Sequence, residues 1–225
     1  MLTVDVAANL AGVRERIAAA CARSGRTPQA VTLVAVTKTV PAQRIGEAYR
    51  AGVRHFGENR VQEARQKLPL LRDLPEAIWH MVGRLQANKV NIALGLFDII
   101  DSVDSLRLAE ALNERARGRL PLLLEVNVGG EPQKGGLPPE ELTNTLDSVR
   151  GLVRLDVRGL MTIAPTVSQP EEARPYFRRL RQLGEALGLR VLSMGMTDDF
   201  EVAIEEGATM VRIGRAIFGP RDEGR

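Results

Sequence analysis

One lysine stands directly after an apolar segment that has the composition of a buried strand. The segment is Val31–Val36, and Thr37 and Lys38 follow it. Only four of the 31 Lys and Arg residues are lysines, so a lysine at this point is informative. Arginine stays protonated, whereas a lysine whose pKa is lowered by burial can form a Schiff base with an aldehyde. The local sequence leaves two interpretations open, a reactive amine or a lysine that reaches solvent from a strand end.

A second segment has the residues of a phosphate-binding turn. The apolar run Arg190–Met194 leads into a turn of small residues, and a helix is expected to begin near Asp198. Backbone N–H groups in such a turn bind phosphate, and hydroxyl groups add donors. The alternative is that Thr197 or Asp198 only caps the helix, and the carboxylates of Asp198 and Asp199 would repel a phosphate. The candidate contacts in this turn are Ser193, Gly195, Met196 and Thr197.

Further candidates lie near other predicted strand ends. Gly214 follows the run Met210–Ile213 and lets a backbone approach an anion closely. Four methionines recur near predicted strand ends: Met81, Met161, Met194 and Met196. Methionine usually fills gaps in a core but could also pack on a flat cofactor ring, and spacing alone favours none of the four. A histidine within a strand, such as His80, is more often a hydrogen-bonded core group than a catalyst.

These residues are positioned by a pattern of alternating strands and helices. Eight short apolar runs alternate with segments of helical spacing, which predicts a compact (β/α)₈ barrel of the TIM type, in the α/β class. The competitor is an open doubly wound sheet, but the first strand leads into Thr37 and Lys38 without a Gly-rich turn. An additional helix is predicted from Val6 to Arg23, where it could close one end of the barrel. The predicted strands are Val31–Val36, Val53–Phe56, Ile78–Val82, Phe97–Ile100, Leu122–Val126, Val157–Met161, Arg190–Met194 and Met210–Ile213.

The barrel prediction brings the candidates together. Reactive residues of such barrels gather at the C-terminal ends of the strands, and phosphates are often held by the loops after strands seven and eight. Those loops hold the turn after Ser193 and the segment after Ile213. No Ser- or Gly-rich linker interrupts the chain, so residues 1–225 are expected to form a single domain.

Composition excludes several other functions. The one cysteine, Cys21, allows neither an internal disulfide nor a thiolate zinc site, and two histidines make a histidine-based metal site improbable. A net charge of +3 with interleaved acidic and basic residues favours a solvated surface over a nucleic-acid face. No apolar run is long enough to span a membrane, and the segment from Met1 to Ala8 does not have the features of a signal peptide. We therefore expect a cytoplasmic protein.

The motifs resemble those of one family along nearly the whole chain. The chain resembles the pyridoxal phosphate homeostasis proteins, which bind pyridoxal 5′-phosphate (PLP) and affect vitamin B6 and amino-acid balance. The segments that carry the resemblance are residues 34–38, 55–59, 80–89, 102–105, 125–127, 159–162 and 193–219.

The resemblance implies a cofactor and its site. It places the PLP lysine at Lys38, the arginine facing the pyridine nitrogen at Arg212, and Asn59 near the cofactor ring. Its phosphate loop corresponds to Ser193–Thr197 together with Gly214 and Arg215. The implied fold is the fold-type III PLP-binding barrel of the alanine racemase N-terminal domain.

The resemblance implies no established reaction. Racemisation needs a base on each face of the cofactor, and the racemase takes one from a second domain for which a chain ending at Arg225 leaves no room. An arginine at the pyridine nitrogen also weakens the ring as an electron sink. We expect a PLP carrier, monomeric, with PLP-dependent apoenzymes as a further class of partner; a weak amino-acid racemase is the alternative.

Two positions depart from the family pattern. Arg215 stands where members of the family often have Ser or Thr, so a hydroxyl contact to the phosphate is lost there, and a charge-assisted contact from the guanidinium could replace it. Met81-Val82 stands where Phe-Ile is common, which is interpreted as core variation.

Overall fold

The computed structural model describes residues 4–220. Residues 1–3 and 221–225 of the predicted domain lie outside the described residues, and so do the first three residues of the segment from Met1 to Ala8. Eight strands in the described part pair in parallel and close into a barrel, in which β8 pairs with β1. The strands are β1 Thr32–Val36, β2 His55–Glu58, β3 Ile78–Met81, β4 Ile99–Val103, β5 Leu120–Glu125, β6 Leu155–Met161, β7 Val191–Ser193 and β8 Met210–Ile213.

Helices connect successive strands and cover the outside of the barrel. The described α-helices are α1 Val6–Arg23, α2 Ala42–Arg50, α3 Val61–Lys67, α4 Val90–Ala93, α5 Leu106–Arg115, α6 Leu142–Arg150, α7 Arg174–Leu187, α8 Phe200–Glu205 and α9 Arg215–Phe218. Short 3-10 helices occupy Pro28–Ala30, Leu68–Leu71, Ala87–Lys89, Pro139–Glu141 and Pro170–Ala173. Within residues 4–220, no helix is both long and apolar enough to cross a membrane. The predicted (β/α)₈ barrel is confirmed, and every predicted strand overlaps an observed one.

Helix α1 lies in the outer helical layer. It begins after Asp5, whose Oδ1 accepts a hydrogen bond from Ala8 N, and it buries the stripe Leu10, Val13 and Ile17. It packs against α2, α8 and α9. Because α9 is only one turn long, α1 completes the ring of helices beside it instead of closing a barrel end.

The barrel interior determines which residues reach the mouth. Four apolar side chains fill it as a cluster separate from the layer between strands and helices: Val34, Leu123, Met161 and Met210. Side chains alternate along a strand, so Val36 and Arg212, two residues beyond Val34 and Met210, face the same interior nearer its C-terminal end. Strands β2 and β4 continue past their predicted ends, to Glu58 and Val103.

Candidate cofactor site

A cavity lies at the C-terminal mouth of the barrel, between the loops that follow β1, β7 and β8. It encloses about 1050 Å³ when the solvent at its open mouth is included, which is enough for a small-molecule ligand. Its wall includes six of the predicted cofactor residues: Lys38, Met196, Thr197, Arg212, Gly214 and Arg215. The barrel thus brings together residues that are far apart in the sequence.

The turn after β7 is shaped by its own aspartate. Gly195 has φ +91°, and a Cβ there would lie 2.6 Å from the Cβ of Ala203, so only glycine fits. Met196 N donates to Asp199 Oδ1 at 2.6 Å, so that N–H is not available to an anion. Asp199 is buried, and burial raises the pKa of its carboxyl group. Thr197 stays on the cavity wall.

The helix after this turn is only six residues long. It begins at Phe200, and its N-cap is Asp199. Neither Thr197 nor Asp198 is therefore the capping residue, which removes the alternative raised by the sequence. A six-residue helix contributes little on its own, so the turn itself is the part of this loop that can contact an anion.

The loop after β8 supplies a close backbone approach and a cation. A Cβ on Gly214 would lie 3.2 Å from the carbonyl oxygen of Val36. Helix α9 begins at Arg215, so the N–H groups of Arg215 and Ala216 have no partner inside the helix. The guanidinium of Arg215 forms an ion pair with Asp198. This pair joins the two loops and neutralises one of the carboxylates that would repel a phosphate.

Arg212 is a buried cation on the floor of the cavity. Its Nη1 donates to Ser193 Oγ at 2.8 Å and its Nη2 donates to the carbonyl oxygen of Thr162 at 2.8 Å. Burial lowers the pKa of its guanidinium, and the carboxylates of Asp101, Glu125 and Asp199 oppose that effect. The hydroxyl oxygen of Ser193, which was predicted as a phosphate donor, accepts the hydrogen bond from Arg212, and Ser193 is not among the residues of the cavity wall.

Two acidic residues near Arg212 were missed as functional residues by the sequence analysis. Glu125 ends β5 and is buried, and burial raises its pKa to about 7, although Arg212 and Arg84 act in the opposite direction. Asp101 lies within β4 and accepts a hydrogen bond from His80. The structure agrees with the interpretation of His80 as a hydrogen-bonded core group. The signal for both acids was their position at the end of a predicted apolar run: Asp101 follows Phe97–Ile100, and Glu125 lies near the end of Leu122–Val126.

Asn59 and Met81 were also predicted to contact the cofactor. Asn59 follows β2, and its Oδ1 is buried with no hydrogen-bond donor among the described residues. Met81 is buried in the large core shared with the helices. Its neighbour His80 points into the barrel, so period-two alternation directs Met81 outward. The structure does not bring Met81 together with the other predicted residues.

Known proteins match this chain over nearly its whole length. Residues 8–222 match the family model described as alanine racemase, N-terminal domain. The pyridoxal phosphate homeostasis protein of Aquifex aeolicus is 47% identical over 94% of this chain and 96% of its own length. That of Pseudomonas aeruginosa is 46% identical over 97% of both chains.

Solved structures agree on the fold. PipY of Synechococcus elongatus, in a structure with PLP bound, is 40% identical, covers 96% of this chain and 100% of its own, and has a TM-score of 0.84. Alanine racemase from Corynebacterium glutamicum, at 20% identity and a TM-score of 0.70, shares the fold over 97% of this chain and 62% of its own. The chain therefore belongs to the pyridoxal phosphate homeostasis proteins, within the alanine racemase N-terminal domain family.

Proposed function

We propose that this protein binds PLP through Lys38 and takes part in PLP and amino-acid homeostasis as a carrier of the cofactor. One observation carries the proposal. A single cavity is lined by a primary amine, a buried guanidinium and a pair of loops with anion donors, contributed by Lys38, Arg212, Thr197, Gly214 and Arg215. These are the groups needed to hold a phosphorylated aromatic aldehyde.

The residues present fit the cofactor at both of its ends. When bound, PLP supplies an aldehyde that condenses with a primary amine, with loss of water, and a ring that can accept electrons. Lys38 offers the amine at the mouth of the barrel. Gly214 lies on the cavity wall without a side chain that would keep an anion from its backbone, and Arg215 adds a charge-assisted donor toward the phosphate.

Two residues orient the ring in this proposal. Arg212 is held from behind by Ser193 and Thr162, so its remaining N–H groups can donate to the pyridine nitrogen. A permanent cation there keeps that nitrogen unprotonated, which disfavours carbanion chemistry. The buried Oδ1 of Asn59 is a further acceptor that a polar group of the ligand would satisfy.

We also infer the domain organisation, oligomeric state, location and partners that fit this role. We expect residues 1–225 to form one PLP-binding domain that acts as a monomer in the cytoplasm and delivers PLP to apoenzymes. Several cations at the surface are paired with carboxylates, as Arg174 is with Glu171, Glu205 and Glu206. Such pairing supports a solvated surface and argues against nucleic acid as a partner.

Reconstitution with PLP tests the proposal. The wild-type protein should gain a visible absorption band, and borohydride reduction followed by mass spectrometry should locate PLP on Lys38. Lys38→Ala should lose the band, and Lys89→Ala, a matched loss of another lysine, should keep it. PLP trapped on a different lysine would contradict the site. Steady racemisation of an L-amino acid above the rate with free PLP would contradict a carrier without turnover.

A further inference from the structure

The turn that carries Lys38 has a strained backbone. Thr39, the next residue, has φ +64°, and no other residue except glycine has a positive φ in the part of the chain that the structure describes. A β-branched residue in this region is an outlier. Such conformations cost about 1–3 kcal/mol and persist only where the surroundings impose them.

Three charged side chains impose this conformation. The Oγ1 of Thr37 donates to Glu58 Oε1 at 2.6 Å, and Lys67 Nζ donates to the carbonyl oxygen of Thr37 at 2.8 Å. On the other side of Lys38, the N–H of Thr39 donates to Glu63 Oε1 at 2.5 Å. Both flanking residues of the lysine are therefore tied to the same group of side chains, Glu58, Glu63 and Lys67.

In this Glu58–Glu63–Lys67 cluster, Glu58 and Lys67 are buried and Glu63 is half-buried, and the Lys67 ammonium bonds both carboxylates. Glu58 ends β2, and Glu63 and Lys67 lie one turn apart on α3. Lys67 Nζ lies 2.8 Å from Glu58 Oε1 and 2.7 Å from Glu63 Oε1. With the bond to Thr37, the three N–H groups of the ammonium are all used. Lys67 is thus bound in place and is not a second reactive amine.

A buried ion pair is weak evidence for stability, because desolvation of its charges offsets their attraction. The cluster instead fixes the position of the backbone around Lys38. It joins the end of β2 and both ends of α3 to the backbone on either side of Lys38. The amine of a side chain held on such a turn samples fewer positions than one on a mobile loop, and a reacting group placed in advance reacts faster.

We infer that Glu58, Glu63 and Lys67 are positioning residues, which hold the Thr37–Thr39 turn so that the Lys38 amine faces the cofactor cavity. The inference rests on the proposed function for the identity of the reacting aldehyde. In the step itself, the Lys38 nitrogen forms a bond to the aldehyde carbon, and the aldehyde oxygen leaves as water. The cluster takes no part in that exchange and acts only through the backbone.

Two substitutions loosen the turn and leave every charge in place. Thr39→Gly removes the strain, since glycine adopts this φ without cost. Thr37→Val removes the hydroxyl bond to Glu58 and keeps the shape of the side chain. Both should slow PLP capture about tenfold, corresponding to ~1.4 kcal/mol. The thermal midpoint of Thr39→Gly should not fall, which separates positioning from simple stabilisation. Thr166→Gly, in an exposed loop position, is the matched control.

Capture is followed by the growth of the visible band after mixing, and a second readout needs no PLP. Acetic anhydride labelling of Lys38 across a pH series, read by mass spectrometry, gives the rate and apparent pKa of its amine. Altered Lys38 labelling in both variants, and not in Thr166→Gly, supports the inference. Wild-type capture and labelling in both variants overturn it. If wild type itself shows no PLP on Lys38, the proposed function fails, and the labelling comparison still decides the role of the cluster.

Discussion

His80 Nδ1 lies 3.0 Å from Asp101 Oδ1, and both side chains are fully buried inside the barrel. The other ring nitrogen, Nε2, lies 2.9 Å from the Nδ1 of His55. A carboxylate only accepts, so in the neutral imidazole Nδ1 of His80 carries the proton and Nε2 accepts one from His55. In these two hydrogen bonds each donor points toward Asp101, and this arrangement stabilises the negative charge of the Asp101 carboxylate. That charge is one of those acting on Arg212.

Asp101→Asn removes the charge and keeps the size of the side chain. The buried positive charge of Arg212 then loses one of the negative charges that stabilise it. The hydrogen bond from His80 no longer has a charged acceptor. We expect the free energy of unfolding to fall by roughly 1.5–3 kcal/mol, as for hydrogen bonds to charged groups. Urea denaturation at pH 7 measures it. The control is Asp73→Asn at an exposed position, whose free energy of unfolding should stay within about 0.5 kcal/mol of wild type. If Asp101→Asn and Asp73→Asn had equal effects, the charge of Asp101 would contribute nothing to stability.

The raised pKa of Glu125 gives a stability that depends on pH. Burial raises it from 4.5 to about 7, so between these values the folded state binds more protons than the unfolded state. Folding stability from this group is complete below pH 4.5 and is lost as pH rises to about 7. At 1.36 kcal/mol per pKa unit the loss amounts to roughly 3 kcal/mol.

Glu125→Gln should abolish this dependence, because glutamine does not ionise. The difference in free energy of unfolding between variant and wild type should shift by roughly 3 kcal/mol in favour of the variant between pH 4.5 and 7.5. Denaturant titrations at several pH values measure the difference, in which other titrating groups cancel. Glu140→Gln, at an exposed position, is the control. A difference that is constant with pH would place the pKa of Glu125 near its ordinary value.

The strands could be predicted because their apolar residues are buried on both faces. The prediction stopped too early where a strand continues into buried polar residues, as β4 does at Asp101 and Ser102 and β2 does at Glu58. Each of these has a partner from another element: His80 for Asp101, the carbonyl oxygen of Gly83 for Ser102, and Lys67 for Glu58. Such partners make polar residues compatible with a buried strand, and hydrophobicity alone cannot reveal them.

Part of the site could be predicted from strand ends, since barrel topology brings Lys38, Arg212 and Thr197 to one mouth. The side chains that hold these residues in place could not be predicted. The sequence contains no signal that distinguishes Lys67, and only the fold shows that its amine bonds the carbonyl oxygen of Thr37, next to Lys38. The direction of the Met81 side chain could not be predicted, because it depends on whether His80 faces into or out of the barrel. A shift of one residue along a strand moves every side chain to the opposite face.

Ser193→Ala tests whether Ser193 positions Arg212. Loss of the hydroxyl removes the acceptor of Arg212 Nη1 and leaves the guanidinium held by Thr162 alone. We expect a destabilisation of about 1–2 kcal/mol, together with a shift of the absorption maximum of bound PLP. Spectra of the reconstituted variant measure the shift. Thr166→Ala, an exposed hydroxyl loss, is the control, and an unchanged spectrum would assign Ser193 a role in stability only.

The ion pair between Arg215 and Asp198 is exposed, with side-chain accessibilities of 52% and 75%. Its contribution to stability should therefore stay within about 1 kcal/mol. Its effect on an anion between the two loops should be larger, because Arg215 attracts the phosphate and Asp198 repels it. Arg215→Ala should weaken PLP affinity about tenfold, equivalent to ~1.4 kcal/mol. Asp198→Asn should strengthen it.

Salt separates this electrostatic effect from a loss of packing. Exposed charges are screened over about 8 Å at physiological ionic strength, so wild-type affinity for PLP should fall as salt is raised. Arg215→Ala should show a weaker dependence on salt, and the exposed Arg72→Ala should behave as wild type. Titrations with PLP at low and high salt, followed by the visible band, measure both slopes. Equal slopes for wild type and Arg215→Ala would mean that Arg215 serves only its contact with Asp198, and that backbone N–H groups hold the phosphate without it.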